Sequence, residues 1–282
     1  MLLAGLAGCE KVSEEPIQNL NGGRIHIIGH AGTGFESALN PFPSNTLSSI
    51  RKTLEGFNAD GVELDVHLSA DSVPILYHDQ TLESMTECVG YPLENSAATL
   101  TACRYRSDFN SHITQNERIL RLEEIFQRYD GSPLQPIFDL DLKSADHLPP
   151  AEQPAWRRRF ARRLTALTEK YRLGSRVTFG TGDIDLLMAI RHELPSAALY
   201  LDENNFAGAL EIAQRHQLTG LVGSAERYTK AQVEQAHAAG LRVVLFQILR
   251  QAEIVDAINK NPDAVQTDNI LLTQQVVAAR RR

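Results

Sequence analysis

Long apolar runs and an excess of basic residues are both missing from this sequence. No segment approaches the roughly 20 consecutive apolar residues that a membrane-spanning helix requires. Lysine and arginine number 28 against 35 aspartates and glutamates, which gives a formal net charge of -7. Because a nucleic-acid backbone selects basic surfaces, this balance argues against a nucleic-acid partner. The remaining composition, 43% hydrophobic and 22% charged, is typical of a globular protein with a sizeable core.

Cysteine is also scarce, and the three that occur fall into two groups. Cys9 follows Leu6-Ala7-Gly8 at the end of a short apolar stretch, which resembles the lipobox of bacterial lipoproteins, where the cysteine receives a lipid. We therefore expect residues 1–23 to be a signal and a polar tether, and the protein to be exported and anchored to a membrane through Cys9, in the periplasm or at the cell surface. In such an oxidising compartment Cys88 and Cys103 form an even pair, which leaves a disulfide and two free thiols both open.

The sequence also lacks the glycine-rich turn that is typical of dinucleotide-binding folds. Gly32 and Gly34 follow the first expected strand without the spacing of that motif, so an open doubly wound sheet is only the second choice for the fold. Strand-like and helix-like segments alternate along the chain, as in a parallel α/β architecture. Eight such units in about 260 residues match a TIM (βα)8 barrel. We predict this barrel as a single domain over residues 24–282.

Periodicity and capping signals assign the elements of this barrel. The expected strands are Ile25–Gly29, Val62–His67, Ile137–Leu142, Arg176–Phe179, Ala197–Leu201, Gly220–Val222, Arg242–Phe246 and Ala264–Thr267. Helices are expected at Asn45–Glu55, Leu122–Tyr129 and Thr229–Ala239. In the last of these, Thr229 and Gln232 have the spacing of a capping box.

A hairpin is expected to interrupt the alternation after the second strand. Val73–Tyr77 is a further β-rich segment, and Ser69–Ser72 before it is too short for a parallel crossover. A turn centred in those four residues pairs His78 with Glu63, which would bring the imidazole beside the carboxylate. The stretch that follows fits neither a strand nor a helix pattern, so we predict an insertion over about residues 82–119 that covers the barrel mouth.

Polar side chains stand at the ends of three consecutive expected strands. They are His30 after the first strand, Glu63 and Asp65 on the second, His78 after the hairpin, and Asp139, Asp141 and Lys143 on the third. Because the carboxyl ends of barrel strands meet at one mouth, we expect these side chains to converge there. The remaining histidines are interpreted as structural: His26, His67, His112, His147, His192, His216 and His237.

The carboxylates at this mouth predict a metal site. Carboxylates gathered at one mouth repel one another by on the order of 1 to 4 kcal/mol per close pair, and a divalent cation would remove that cost. All-oxygen ligation favours Mg²⁺ or Ca²⁺ over zinc, so we expect three of these carboxylates to hold one such cation. Lys143 adds positive charge suited to a phosphoryl group, and the two histidines could take up one proton and donate another. The residues by themselves therefore suggest metal-assisted phosphodiester cleavage.

Several motifs follow one another in a distinctive order. They are His30, Pro43–Leu47 (PSNTL), Ala59–Val66 (ADGVELDV), Val73–Asp79 (VPILYHD), Asp141–Lys143 (DLK) and Thr267-Asp268. This order resembles the glycerophosphodiester phosphodiesterase family from Ile25 to Asn269. The resemblance implies a TIM barrel with an insertion after the hairpin and the hydrolysis of small glycerophosphodiesters or lipid headgroups to an alcohol and glycerol phosphate.

The resemblance also implies a role for each candidate residue. Glu63, Asp65 and Asp141 would hold the metal, His30 and His78 would be the acid-base pair, and Lys143 would neutralise the phosphate. We interpret Asp139 as a supporting or structural residue. The chain departs from the family at Ala31, where arginine is usual, at Ser44, where glutamate is usual, and at Phe246-Gln247, where tryptophan-threonine is common. Losing the arginine removes a bidentate phosphate contact. Two alternatives therefore stay open: a barrel that binds phosphorylated ligands without turnover, and a sphingomyelinase D-like enzyme that cleaves lysophospholipids and needs an apolar channel near the insertion.

Overall fold

Eight parallel strands close into a barrel with helices between them, which confirms the predicted TIM barrel. The computed structural model describes residues 11–35, 40–106 and 116–280. Its strands are β1 (His26–Gly29), β2 (Gly61–Leu68), β3 (Pro74–Leu76), β4 (Leu120–Arg121), β5 (Ile137–Leu142), β6 (Val177–Thr181), β7 (Ala198–Asp202), β8 (Gly220–Ser224), β9 (Arg242–Ile248) and β10 (Ala264–Thr267). Pairing of β1 with both β10 and β2 closes the ring, while β3 and β4 pair antiparallel beside β2.

Helices follow the barrel strands and cover the outside of the sheet, and one further short helix lies in the insertion after β3. They are α1 (Leu47–Arg51), α2 (Ala97–Ala102), α3 (Leu122–Tyr129), α4 (Gln153–Lys170), α5 (Ile184–Glu193), α6 (Phe206–Arg215), α7 (Lys230–Ala238), α8 (Gln251–Asn259) and α9 (Ile270–Arg280). The bounds of α3 are the predicted ones, and Thr229 and Gln232 form the predicted capping box of α7. The first predicted helix continues past α1 as a π-helical turn, Lys52–Gly56.

The predicted hairpin forms, but its register is shifted by one residue. Val66 pairs with Leu76, and the loop between the paired ends comprises residues 69–73. Ser72 lies in the left-handed region at φ 61°, so the loop accommodates one residue more than the four expected. The predicted pairing of His78 with Glu63 is therefore wrong, and His78 instead lies beyond the last pair of the ladder.

Apolar side chains pack in two separate places. Outward-facing residues of the strands, such as Leu64 and Phe138, pack fully buried in the main core that the helices complete. A smaller cluster fills the barrel interior and consists of Ile28, Tyr200, Val222, Val244 and Ala264. Since inward-facing positions alternate along each strand, the next inward positions toward the carboxyl ends remain for polar side chains.

The segment between β3 and β4 packs around the hairpin. Its described part includes α2 and a small apolar cluster that contains Tyr77, Leu100 and Tyr105. Cys88 and Cys103 are joined by a disulfide, which decides between the two alternatives that the sequence leaves open. The disulfide joins two parts of this segment, and the apolar cluster packs the segment against the strand that precedes His78.

Residues 11–23 contact the barrel on the face opposite its carboxyl-end mouth. The backbone N–H of Ser13 donates to Asn259 at the end of α8 (2.9 Å), and Asn19 donates to the carbonyl of Pro262 just before β10 (2.9 Å). The expected lipidation site, Cys9, and the histidine at 112 lie outside the described residues. Among the helices that the structure describes, none combines the length and the apolar character needed to cross a bilayer.

Candidate active site

A cavity of about 380 Å³ opens at the carboxyl ends of the barrel strands. The structure brings all six candidate side chains to its wall: His30, Glu63, Asp65, His78, Asp141 and Lys143. The wall also includes Phe35, Asp139, Leu140, Gly180, Asp202, Val222, Phe246, Gln247 and Gln266. No described residue of the insertion, 82–106 or 116–119, lines this cavity, so that part of the insertion lies beside the mouth. The other described histidines are likewise outside it.

Three carboxylates gather where β2 and β5 run side by side. The parallel register places Asp65 next to Asp141 and Glu63 next to Asp139. One oxygen from each of Glu63, Asp65 and Asp141 lies within 4.8 Å of the other two. Glu63 Oε1 is buried and has no hydrogen-bond donor among the described residues. An all-oxygen set with a buried, unsatisfied acceptor fits a hard divalent cation.

The local charges favour different protonation states for Glu63 and Asp65. Burial, and then the charges of Asp65 and Asp141, raise the pKa of Glu63 well above its usual range, although Ala31 donates its backbone N–H to Oε2 (2.6 Å). Burial also opposes ionisation of Asp65, but the Lys143 ammonium outweighs it and holds the pKa of Asp65 below its usual range. A cation in this cluster would favour the ionised form of both acids.

The ammonium of Lys143 lies between two of the three carboxylates. Its Nζ is 2.6 Å from Asp65 Oδ1 and 2.6 Å from Asp141 Oδ2. Burial by itself would lower the pKa of Lys143, but the two carboxylates outweigh burial and raise it. Lys143 therefore stays charged across the physiological pH range and can pair with an anionic phosphate oxygen at this wall.

Each histidine of the cavity has a carboxylate partner. His30 Nδ1 is 2.9 Å from Asp268 Oδ1, and His78 Nδ1 is 2.6 Å from Asp79 Oδ1. A carboxylate at Nδ1 favours the tautomer that leaves Nε2 available to a substrate. Burial lowers the pKa of His30, but the hydrogen bond and charge of Asp268 outweigh it and raise this pKa above its usual value. The Phe35 ring stands between the two imidazoles, with centroids 5.0 and 4.8 Å away.

Asp139 is satisfied by protein donors on both oxygens. Thr178 Oγ1 donates to Oδ1 (2.5 Å) and Gln266 Nε2 donates to Oδ2 (3.0 Å). Burial raises the pKa of Asp139 above its usual value. These bonds tie β5 to β6 and β10 beneath the acidic cluster, which accords with the supporting role expected from the sequence.

Sequence reasoning assigned no site role to several residues that the structure brings to the site, although three of them belong to the motifs that carry the family resemblance. They are Phe35, Asn45, Asp79, Asp202 and Asp268. Asn45 holds Asp65 twice, donating from Nδ2 to Oδ2 (2.6 Å) and accepting the backbone N–H of Asp65 (3.0 Å). Asp202 and Asp268 come at the ends of β7 and β10, so the rule that identified the other acids could have found them. Phe35 lies in a loop and carries no such signal.

Two of the departures from the family pattern lie where the backbone is left-handed. Ala31 is fully buried at φ 47° and contributes its N–H to Glu63, so the backbone contact with the acidic cluster does not require a long side chain. Gln247 also lies in the left-handed region, at φ 62°, where the β9–β10 register shifts. Such an irregularity re-aims side chains, and Phe246 and Gln247 both reach the cavity.

Comparison with known families and proteins gives a consistent result. Residues 36–272 match the model of a family described as the glycerophosphoryl diester phosphodiesterase family. A curated relative, glycerophosphodiester phosphodiesterase 1 of Bos taurus, is 37% identical over 126 residues, which are 42% of this chain and 34% of the relative. A glycerophosphodiester phosphodiesterase of Caldanaerobacter subterraneus subsp. tengcongensis is 29% identical over 101 residues, which are 36% of this chain and 39% of the relative. The chain thus matches little more than a third of the length of these relatives.

Solved structures share the fold. An Oleispira antarctica phosphodiesterase in complex with the product sn-glycerol-3-phosphate has a TM-score of 0.77 at 21% identity, covering 90% of this chain and 96% of the other. A glycerophosphodiester phosphodiesterase from Parabacteroides distasonis has a TM-score of 0.75 at 18% identity, covering 92% and 98%. At these identities the likeness establishes the barrel and its connectivity.

Proposed function

Since the chain belongs to the glycerophosphoryl diester phosphodiesterase family, we propose that it hydrolyses glycerophosphodiesters to an alcohol and glycerol phosphate. The observation that carries this proposal is the convergence of a carboxylate triad, a lysine and two carboxylate-paired imidazoles in one cavity. The likeness of the fold to a phosphodiesterase in complex with sn-glycerol-3-phosphate supports the substrate class.

Glu63, Asp65 and Asp141 would hold one divalent cation, Mg²⁺ or Ca²⁺. Oxygen donors from neighbouring strands and the unsatisfied Oε1 of Glu63 support this assignment. When bound, the cation would supply positive charge that stabilises the phosphoryl oxygens as negative charge develops on them. Lys143 would bind and neutralise a phosphate oxygen on the same wall.

The two imidazoles would move the protons. One accepts the proton of the attacking hydroxyl, from water or from the substrate itself, while the attacking oxygen forms a new bond to phosphorus. The other donates a proton to the oxygen of the departing alcohol as the old P–O bond breaks. Asp268 and Asp79 would orient His30 and His78 and stabilise whichever ring is positively charged.

We further propose that the protein is exported and held at a membrane through a lipid on Cys9. The sequence Leu6-Ala7-Gly8-Cys9 and the disulfide, which is typical of oxidising compartments, support this location. Residues 1–23 would then be the signal and tether and residues 24–282 the catalytic barrel.

A second candidate substrate is a lysophospholipid. A groove of about 430 Å³ lined by Phe42, Phe57, Leu249 and Leu271 adjoins the cavity and shares Phe35 with it. Such a groove could accept an acyl chain that extends from a phosphodiester in the cavity. This groove lies beside β10 and α9, whereas the lysophospholipid alternative requires an apolar channel near the insertion.

The test is a substrate panel assayed with the purified protein. Glycerophosphodiesters with different alcohols and a lysophospholipid are incubated with Mg²⁺ or Ca²⁺ and, separately, with a chelator. We expect release of the alcohol from glycerophosphodiesters that stops on chelation and returns when the cation is restored. Tight binding of these diesters without turnover would contradict the proposal and favour the non-catalytic binding protein.

A further inference from the structure

The cavity contains one carboxylate that no described residue pairs with. Asp202 ends β7 two positions after Tyr200, which faces the barrel interior, so the Asp202 side chain points into the cavity. Among the described residues it has neither a hydrogen-bond donor nor an ion-pair partner, and its neighbours act on it only through their charge. This separates it from the other acids of the cavity, because Glu63, Asp65, Asp139 and Asp141 each have a partner.

The surroundings of Asp202 make its negative charge costly. Burial, and then the charge of Asp141, raise the pKa of Asp202 to about 7. Asp139 and Glu203 act in the same direction, and only Lys143 opposes them. A mostly buried acid that lacks a protein partner is typical of a position that meets a ligand. A cationic ligand group would remove the cost that the neighbouring carboxylates impose.

The neighbouring wall of the cavity is apolar and aromatic. β7, β8 and β9 are adjacent in the barrel and present Asp202, Val222 and Phe246 in turn. On the other side of Asp202, Gly180 of β6 has no side chain. Asp202, Gly180 and Asp141 all line the same cavity. A carboxylate beside an aliphatic and an aromatic surface is the combination that binds ammonium groups.

We propose that Asp202, with Val222 and Phe246, binds the ammonium group of the alcohol that is released, so that the preferred substrates are zwitterionic diesters such as those of choline and ethanolamine. This inference rests on the proposed phosphodiesterase function. The phosphate would lie at the wall of Lys143 and the acidic triad, and the cationic end would lie at the wall of Asp202. A neutral alcohol could still donate a hydrogen bond to Asp202, but it would lack the charge–charge and cation–π attraction that an ammonium group gains.

The test compares two diesters that share glycerol and phosphate and differ in the charge of the released alcohol. The ratio of kcat/KM for glycerophosphocholine to kcat/KM for glycerophosphoglycerol cancels the chemistry that the two diesters have in common. We expect Asp202→Asn, which keeps size and removes charge, to lower this ratio by about tenfold or more. Phe246→Leu removes the aromatic face and should lower the ratio by about threefold.

The matched control is Glu203→Gln. Glu203 is the next residue, is exposed and accepts the backbone N–H of Asn205 (2.8 Å), which a glutamine oxygen can also do. Glu203→Gln removes a charge outside the cavity, so the ratio of the two kcat/KM values should stay at its wild-type value. An unchanged ratio in Asp202→Asn, or an equal drop in Glu203→Gln, would overturn the headgroup site.

A binding measurement keeps the inference testable without turnover. Choline titrated by calorimetry into the cation-loaded wild-type protein should bind about tenfold or more tightly than to Asp202→Asn. Equal heats and affinities in the two proteins would contradict the site. If neither diester is hydrolysed, the proposed function fails, and the calorimetric comparison still decides the assignment of Asp202.

Discussion

At the scale of residues, the proposed chemistry depends on two imidazoles that are each hydrogen-bonded to a carboxylate. Asp268 reaches His30 from the last barrel strand, whereas Asp79 is the direct neighbour of His78 in the chain. In both cases Nδ1 is engaged and Nε2 is left for the substrate. A single imidazole could serve one proton transfer, so two are what a displacement with both an attacking and a leaving oxygen requires.

Replacing either imidazole should stop turnover and leave the fold intact. We expect His30→Ala and His78→Ala each to lower kcat by about 100-fold or more, because each removes one proton-transfer step. His192→Ala is the control, since that side chain is 84% exposed and lies outside the cavity. Steady-state rates and thermal unfolding midpoints are measured together. Wild-type rates in either cavity variant would rule out the assigned role.

The unpaired acid at β7 should affect stability in a pH-dependent way. The pKa of Asp202 is raised to about 7 by burial and by Asp141, above the value of 3.8 for an unperturbed aspartate. Its ionised form therefore destabilises the fold by up to about 4 kcal/mol at pH above 7, and the cost disappears as pH falls toward 4. Asp202→Asn should raise the unfolding midpoint of the chelated protein at pH 8, and should raise it clearly less at pH 5, where the cost is smaller. A pH-independent difference would contradict this account.

At the scale of elements, the strands were more predictable than the contacts between them. All eight barrel strands were located within two residues, because short β-rich segments that alternate with helix-like segments leave a strong pattern. The hairpin register was not predictable, since the left-handed Ser72 has no sequence signature that separates a four-residue from a five-residue loop. The contact of His30 with Asp268 joins residues 238 positions apart, which periodicity cannot reveal.

The disulfide should stabilise the insertion rather than the barrel. Cys88 and Cys103 are 15 residues apart, and closing a loop of that size contributes about 3 kcal/mol by its effect on the unfolded chain. We expect the double substitution of both cysteines by serine to speed amide hydrogen exchange in α2 and around Tyr105, with unchanged protection in β7 to β10. Uniform acceleration throughout the barrel, or none in the insertion, would show that this segment is not a separate unit.

At the scale of the whole molecule, the tether and the cavity lie at opposite ends of the barrel. Lys11 contacts Asn259 at the end of α8 through its carbonyl (3.0 Å), and Cys9 is only two residues before it. The proposed anchor would therefore act far from the catalytic groups. We expect Cys9→Ala to move the protein from the membrane fraction to the soluble fraction in a bacterial host, without changing kcat for a water-soluble diester. Membrane retention of the variant would argue against the lipid anchor.

The most direct test of the account is the position of a bound cation. Crystals grown with Mn²⁺, a stand-in for Mg²⁺ with anomalous scattering, should give one strong peak within about 2.5 Å of oxygens from Glu63, Asp65 and Asp141. Glu63→Gln crystals treated in the same way should give a weaker peak or none. A peak elsewhere in the barrel, or no peak in wild-type crystals under conditions that support hydrolysis, would contradict the proposed metal site.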